Sequence, residues 1–338
     1  MFPLKKDIPI KKIIYTFFLY IWGGFMNEKF KDTICAFCTL IIVVAMVGAA
    51  QITGEKEIIF PEITAIAVGM LLAPKRSWQT SKLRILILIT ICAISGVLIV
   101  LFLPVTKPLQ MTFAFTVCQI IFLFSRTTFA PLISAMVLPV MLGTENIIYI
   151  IAAIVLTTLI LLSVTVLEYA GIKEPEPYEP TPLPQKQDFF IAFVRCIFAA
   201  LFIFIALNID FRFAVAPPLL VAFTEFTRPG CKALKKPVKA VLLIGVCAFA
   251  GSVCRYVLTM KFGLWLTISA AAATILMILI LRGCQMFLPP AGALTILAML
   301  IPDTYVVIYP LQILTGAGIL MFTAWMLQKV KMLKLRES

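Results

Sequence analysis

The stretch Arg282–Pro302, R-G-C-Q-M-F-L-P-P-A-G-A-L-T-I-L-A-M-L-I-P, is apolar enough for a bilayer interior and yet contains Pro289, Pro290 and Gly292. Two prolines remove two backbone donors, and hydrocarbon offers no water to the carbonyls left over. An uninterrupted spanning helix is therefore excluded, and a broken or half-membrane helix is predicted. Arg126–Pro139, R-T-T-F-A-P-L-I-S-A-M-V-L-P, has the same character, and its Pro131 precedes Pro290 by 159 positions. Interrupted helices at corresponding places in two halves of a chain point to a transport site.

Composition agrees with a membrane setting. Of 338 residues, 62% are hydrophobic and 13% charged, whereas soluble domains hold about 45–50% apolar and 25% charged residues. The expected fold is all-α, with about twelve transmembrane helices and no stretch outside the membrane long enough for a soluble domain. The predicted segments are Thr33–Ile52, Ile58–Pro74, Leu83–Leu103, Gln110–Ser125, Thr127–Leu142 and Ile147–Ala170, then Phe189–Ile209, Phe211–Thr227, Lys239–Met260, Phe262–Leu281, Cys284–Ile301 and Thr304–Leu327. Before them, residues 1–32 form a cytoplasmic N-terminus with four lysines in its first 12 residues, followed by a short apolar run, Ile13–Met26, expected to lie in the interface on Tyr15, Tyr20 and Trp22. Residues 171–187, rich in proline and glutamate, are expected to be a stiff, solvated cytoplasmic linker. Residues 328–338 form a basic tail.

The formal charge of +13 is explained by placement. With these segments, 23 basic residues fall on the side of the N-terminus and 4 on the other, while Arg195 and Arg255 lie inside helices. Positive charge marks the cytoplasmic side, so both termini are expected there, in the plasma membrane, without any nucleic-acid partner. The expected partners are the bilayer and a small-molecule or ion substrate, with homo-oligomerisation left open.

A repeat is visible in the same frame. Pro61 and Pro217 lie 156 positions apart, the helices starting at Leu83 and Lys239 keep that shift, and the later segments follow at 159. Six spans per half is an even number. Residues 33–170 and 188–327 are therefore expected as parallel six-helix repeats about an axis along the membrane normal, each with helices broken at Pro61, Pro131, Pro217, Pro218, Pro289, Pro290 and Gly292.

The second half, over residues 211–326, resembles the HPP family of integral membrane proteins. The match is Leu288-Pro289-Pro290-Ala291-Gly292-Ala293, with Thr227-Arg228-Pro229 and its basic loop upstream. Leu288 stands where that family has its histidine, so no imidazole role carries over. The resemblance implies a permease-like protein, nitrite being a solute associated with some members. The six-linker-six order, with Pro74-Lys75-Arg76-Ser77-Trp78 ending the second segment and Arg84 opening the third, is also similar to the fusaric acid resistance and aromatic acid exporter group.

Polar residues at membrane depth are the candidates for function. The expected substrate-binding set is Arg126, Thr128, Ser134, Arg282, Gln285 and Thr295, with Thr127 beside it. Arg126 and Arg282 serve equally as topology anchors and as anion attractors. Glu62, read as solvated near the headgroups, and Glu225, read as an i,i+3 partner of Arg228, are the candidates for coupling. Arg195 is expected to snorkel to the interface. Histidine is absent, and Cys35 and Cys38, the only C-x-x-C among nine cysteines, sit in an apolar helix. Neither a metal site, a cofactor nor an enzymatic centre is expected, so transport of a small anion leads over an embedded enzyme or a membrane scaffold.

Overall fold

A computed structural model describes residues 27–228 and 231–334; the predicted interfacial helix Ile13–Met26 lies outside them. The described chain is helical, with twelve α-helices at the twelve predicted segments: α1 Glu28–Thr53, α2 Glu62–Ala67, α3 Lys82–Phe102, α4 Lys107–Phe124, α5 Leu132–Leu142, α6 Ile147–Tyr169, α7 Lys186–Asn208, α8 Pro217–Phe226, α9 Pro237–Cys254, α10 Leu266–Cys284, α11 Pro289–Leu297 and α12 Tyr309–Lys334. Local chemistry sets several starts. Asn27, Ser81 and Asn146 accept from the first-turn amides of α1, α3 and α6, and Gln185 with Asp188 forms a capping box on α7.

Eight helices are long and apolar enough to cross a membrane, namely α1, α3, α4, α6, α7, α9 with its continuation to Lys261, α10 and α12. Their outward faces bear apolar side chains at helical spacing, such as Ile87 and Ile91 on α3 and Phe193, Ile197 and Leu201 on α7. The other four are short. α5 has 11 residues and α11 has 9, and at 1.5 Å per residue neither reaches much beyond half of a hydrocarbon core about 30 Å thick. Every residue of α2 and α11 is buried, so the long helices form a ring around the short ones.

The prolines start these helices and do not break them. Pro61 and Pro131 stand at the N-caps of α2 and α5, Pro217 and Pro218 open α8, and Pro289 and Pro290 open α11. A proline there gives up an amide that a first turn cannot use. Gly292 lies inside α11; the one proline within the body of these short helices is Pro139 of α5. What crosses the remaining depth is irregular backbone with single 3-10 turns such as Arg212–Val215, its amides met by protein: Phe213 N–H donates to Gln312 Oε1 at 2.8 Å, and Thr128 N–H to Gln79 O at 3.1 Å. The far ends of two short helices receive cations. Lys107 Nζ donates to Val140 O at 3.0 Å, and Arg255 Nη1 to Ala298 O and Ile301 O at 2.7 and 2.6 Å.

Packing is reciprocal along the chain. α3 packs on α5 and α6 as α9 packs on α11 and α12; α4 lies on α7 as α10 lies on α1; α2 meets α11 as α8 meets α5. Tyr149 Oη donates to Ala135 O at 2.8 Å and Tyr309 Oη to Leu294 O at 2.7 Å. Gly54 and Asp210, 156 positions apart, are both left-handed, as are Arg126 and Gln285, 159 apart.

Gly96 and Gly251 mark the tightest of these pairings. A Cβ on Gly96 would lie 2.4 Å from Met136 O, and one on Gly251 would lie 2.2 Å from Thr295 O, both backbone atoms that cannot swing aside. Gly96→Ala and Gly251→Ala are each expected to destabilise the fold by about 1–3 kcal/mol. Gly318→Ala, with nothing within 4 Å of its Cβ, should leave the thermal midpoint in detergent unchanged or raise it. Equal midpoints for all three variants would contradict the close approach of α3 to α5 and of α9 to α11.

Candidate functional site

Basic residues gather where the short helices α5 and α11 are entered. Between the loop 73–81, the loop after α8 and the start of α11 lies an open cleft of about 710 Å³, whose lining includes Lys75, Arg76, Glu225, Arg228, Gln285 and Pro289. A smaller cavity of about 180 Å³ lies beside it, lined by Thr127, Thr128, Thr181, Asp188, Arg195 and Arg228 among others. Arg228 borders both cavities, with its Nη1 donating to Thr128 O at 3.2 Å. Burial pushes the Arg228 guanidinium below its ordinary value, with the nearby Glu225 acting against that.

The predicted substrate set is distributed, not gathered. Gln285 borders the larger cleft, capping α10 in a left-handed conformation that costs a non-glycine residue roughly 1–2 kcal/mol. Thr128 borders the smaller cavity, its Oγ1 accepting from Gln79 N–H at 2.8 Å. Arg126 is exposed and donates to Thr181 O at 3.1 Å, while Arg282 donates to Asp32 O at 2.6 Å. Ser134 and Thr295 border neither cavity. Thr295 bonds back to Ala291 O at 3.0 Å and across to Cys247 O at 3.3 Å. Ser134 donates to Glu62.

Three acid and base expectations need correction. Glu62 is not solvated near a headgroup: it is 1% exposed, because the arm before α2 carries it inward. Phe60 N–H reaches Met46 Sδ at 3.2 Å, and Met46 lies seven residues, roughly 10 Å, inside the end of α1. Glu225 makes no ion pair with Arg228; its Oε1 accepts from Trp78 Nε1 at 2.7 Å. Arg195 does not snorkel. It is 5% exposed, donates to Thr227 Oγ1 and, at 3.1 Å, to Gln119 Oε1, and makes no ion pair among the described residues. Gln119 in turn donates to Thr224 Oγ1 at 3.0 Å. Sequence reasoning passed over Gln119 and Thr224 and gave Trp78 no role beyond a family resemblance, although an amide within the apolar run of α4 was a legible signal.

The linker is docked along this same face. Arg76 pairs with Glu168, which also takes Lys82 Nζ at 2.6 Å, and the Arg76 amide donates to Glu176 Oε1 at 2.9 Å. Lys173 reaches Ala73 O at 2.7 Å, Tyr178 Oη donates to Arg126 O at 2.7 Å, and Arg84 lies 5.2 Å over the Tyr178 ring. The chain 173–181 is thus extended, as its prolines require, but fixed to the bundle. Burial lowers the Lys173 ammonium below its ordinary value.

Among the described residues no group of three or more acidic or cysteine side chains is placed to hold a metal. No family model matches the chain, and no curated protein or solved structure does so either.

Proposed function

We propose that this chain carries a small anion across the plasma membrane. The observation behind the reading is the cleft of about 710 Å³, lined by Lys75, Arg76 and Arg228 with a single carboxylate, Glu225, beside the first turn of α11, the guanidinium of Arg76 being paired with Glu168. Helix α11 begins there, and although Pro289 and Pro290 carry no amide and Ala291 N–H is taken by Leu288 O at 3.0 Å, the positive end of the helix dipole favours negative charge. The basic side chains draw an anion to that place before any chemistry of selection begins. The resemblance of Leu288–Ala293 to the HPP motif makes nitrite the first solute to try.

In this reading the bundle is two parallel halves, residues 33–170 and 188–327, related by an axis along the membrane normal. It is supported by the alternation long, short, long, long, short, long in each half, and by the left-handed pairs Gly54 with Asp210 and Arg126 with Gln285. The equivalent of Arg126 is then Gln285, not Arg282. The cleft and the smaller cavity occupy corresponding places at the entries to α11 and α5, and the excess of lysine and arginine makes their face cytoplasmic.

The test is uptake of nitrite, formate and chloride into proteoliposomes holding the purified chain. Arg228→Gln is expected to raise KM about tenfold, a loss of about 1.4 kcal/mol of binding, with Arg228→Lys intermediate. A wild type that moves none of these anions, or an Arg228→Gln variant with unchanged KM, would reject the reading.

A further inference from the structure

We infer that Glu62 is a proton-carrying group, and that its carboxyl couples movement of the anion to movement of a proton. The inference rests on the reading of the chain as an anion transporter, and the geometry behind it is separate from the basic cleft. Glu62 opens α2 and is 1% exposed. One carboxyl oxygen, Oε1, accepts from Ser134, the third residue of α5, so the first turns of two half-length helices meet at this bond. The other, Oε2, is buried with no hydrogen-bond partner among the described protein atoms, and Thr64 Oγ1 on the same helix is in the same condition.

Among the described residues no cation offsets this carboxyl. α5 and α11 contain no other ionisable side chain, nor does the continuation of α2 through Leu72. α6 contributes Tyr149, whose hydroxyl is committed to Ala135 O, and carries Glu168 and Tyr169 at its other end. The ionisable groups of α1 are Glu28, Lys29, Lys31, Asp32, Cys35 and Cys38, all in its first three turns. Glu55, Lys56 and Glu57 stand in the short turn before the arm and touch neither carboxyl oxygen. An ionised carboxylate left alone in such surroundings costs more than the fold of a protein can supply, so the carboxyl here holds its proton.

Release requires water at Oε2 in another state of the bundle, and the local structure permits one. The arm ahead of α2 is tied by the weak Phe60 N–H to Met46 Sδ bond. Behind α2 the helix widens into a π-turn, Val68–Leu72, a form often found where helices must adjust. α11 lies against α2 closely enough that a Cβ on Gly292 would come 3.1 Å from Thr64 O. A shift of α11 driven by an anion at its first turn is therefore felt directly at α2. In the step proposed, the O–H bond of the Glu62 carboxyl breaks and its proton passes to water on one face. The carboxylate is protonated again from water on the other face, one proton per cycle.

Two measurements test this. Dicyclohexylcarbodiimide, which reacts with protonated carboxyls in apolar surroundings, should label the peptide holding Glu62 in the full-length wild type, and Glu62→Gln should remove that label. Labelling that is absent, or that persists in Glu62→Gln, overturns the protonated carboxyl whatever the solute. In proteoliposomes, an imposed pH gradient should drive nitrite accumulation in the wild type, and Glu62→Gln should lower that accumulation by about tenfold or more. Glu62→Asp, which keeps an acid one methylene short, should recover part of it, which a variant that fails to fold would not do. Wild-type flux indifferent to the pH gradient overturns the coupling and leaves the anion reading standing; a wild type that moves no anion overturns both.

Discussion

Trp78→Ala is expected to lower the stability of the bundle by about 3–5 kcal/mol, the range for emptying a buried aromatic site. Trp78 is 3% exposed and lies edge-on to Phe129 at 5.2 Å between ring centroids. Its six-membered ring covers Gly69 so closely that a Cβ there would come within 2.3 Å of it. Its Nε1 is the hydrogen-bond donor to Glu225, 147 positions away, and ties the loop after α2 to the end of α8. Trp78→Phe separates the two contributions, since it keeps most of the ring and leaves Glu225 without its donor, a cost of about 1–3 kcal/mol. Thermal midpoints of the purified variants in one detergent check the order wild type, Phe, Ala. A Trp78→Phe midpoint equal to that of Trp78→Ala would mean that the hydrogen bond, and not the packing, holds this joint.

Arg195→Met should separate function from stability. The Arg195 guanidinium is buried against the smaller cavity, with Thr227 and Gln119 as partners and no ion pair among the described residues. Desolvating a charge costs several kcal/mol, which its removal returns and which outweighs the cost of about 1–3 kcal/mol of leaving Gln119 Oε1 without its donor. The variant is therefore expected to melt no lower than wild type. Its anion uptake, on the proposed function, should fall about tenfold or more, because a cation facing the permeation route is lost. Arg195→Lys should retain part of the uptake, keeping the charge and losing the planar fork. A lowered midpoint together with lowered uptake would make Arg195 a structural tie and remove it from the route.

The twelve helical segments were legible in the sequence because hydropathy and proline each act locally. Ile147–Ala170 was predicted where the helix runs Ile147–Tyr169, and Leu83–Leu103 where it runs Lys82–Phe102. The prolines were located correctly and their role misread, since a proline at the first turn and one in mid-helix differ only by where the helix begins, which Pro131 alone does not state. Burial of Glu62 depended on an arm whose course is set by Met46, 16 residues earlier in the chain, and by Ser134, 72 residues later. Trp78 with Glu225, and Arg195 with Gln119, are contacts 147 and 76 residues apart that no local pattern encodes. The linker was read from its composition as solvated, and its composition does keep it extended. The basic loops it docks on belong to other parts of the chain.

The pairing of α2 with α11 sets a timetable for making the protein. Glu62 opens α2 and Gly292 lies in α11, 230 positions later. At roughly 5–20 residues synthesised per second, α2 must wait on the order of 10–45 s at the ribosome for the helix that covers it. A segment of six α-helical residues with a carboxyl at its head is too short and too polar to rest alone in lipid for that time. Its shelter must meanwhile come from α1 and α6, which it also touches and which are synthesised sooner. Translation that stalls between α6 and α11 would therefore leave a half-built bundle whose least protected part is its innermost helix, a natural target for membrane quality control.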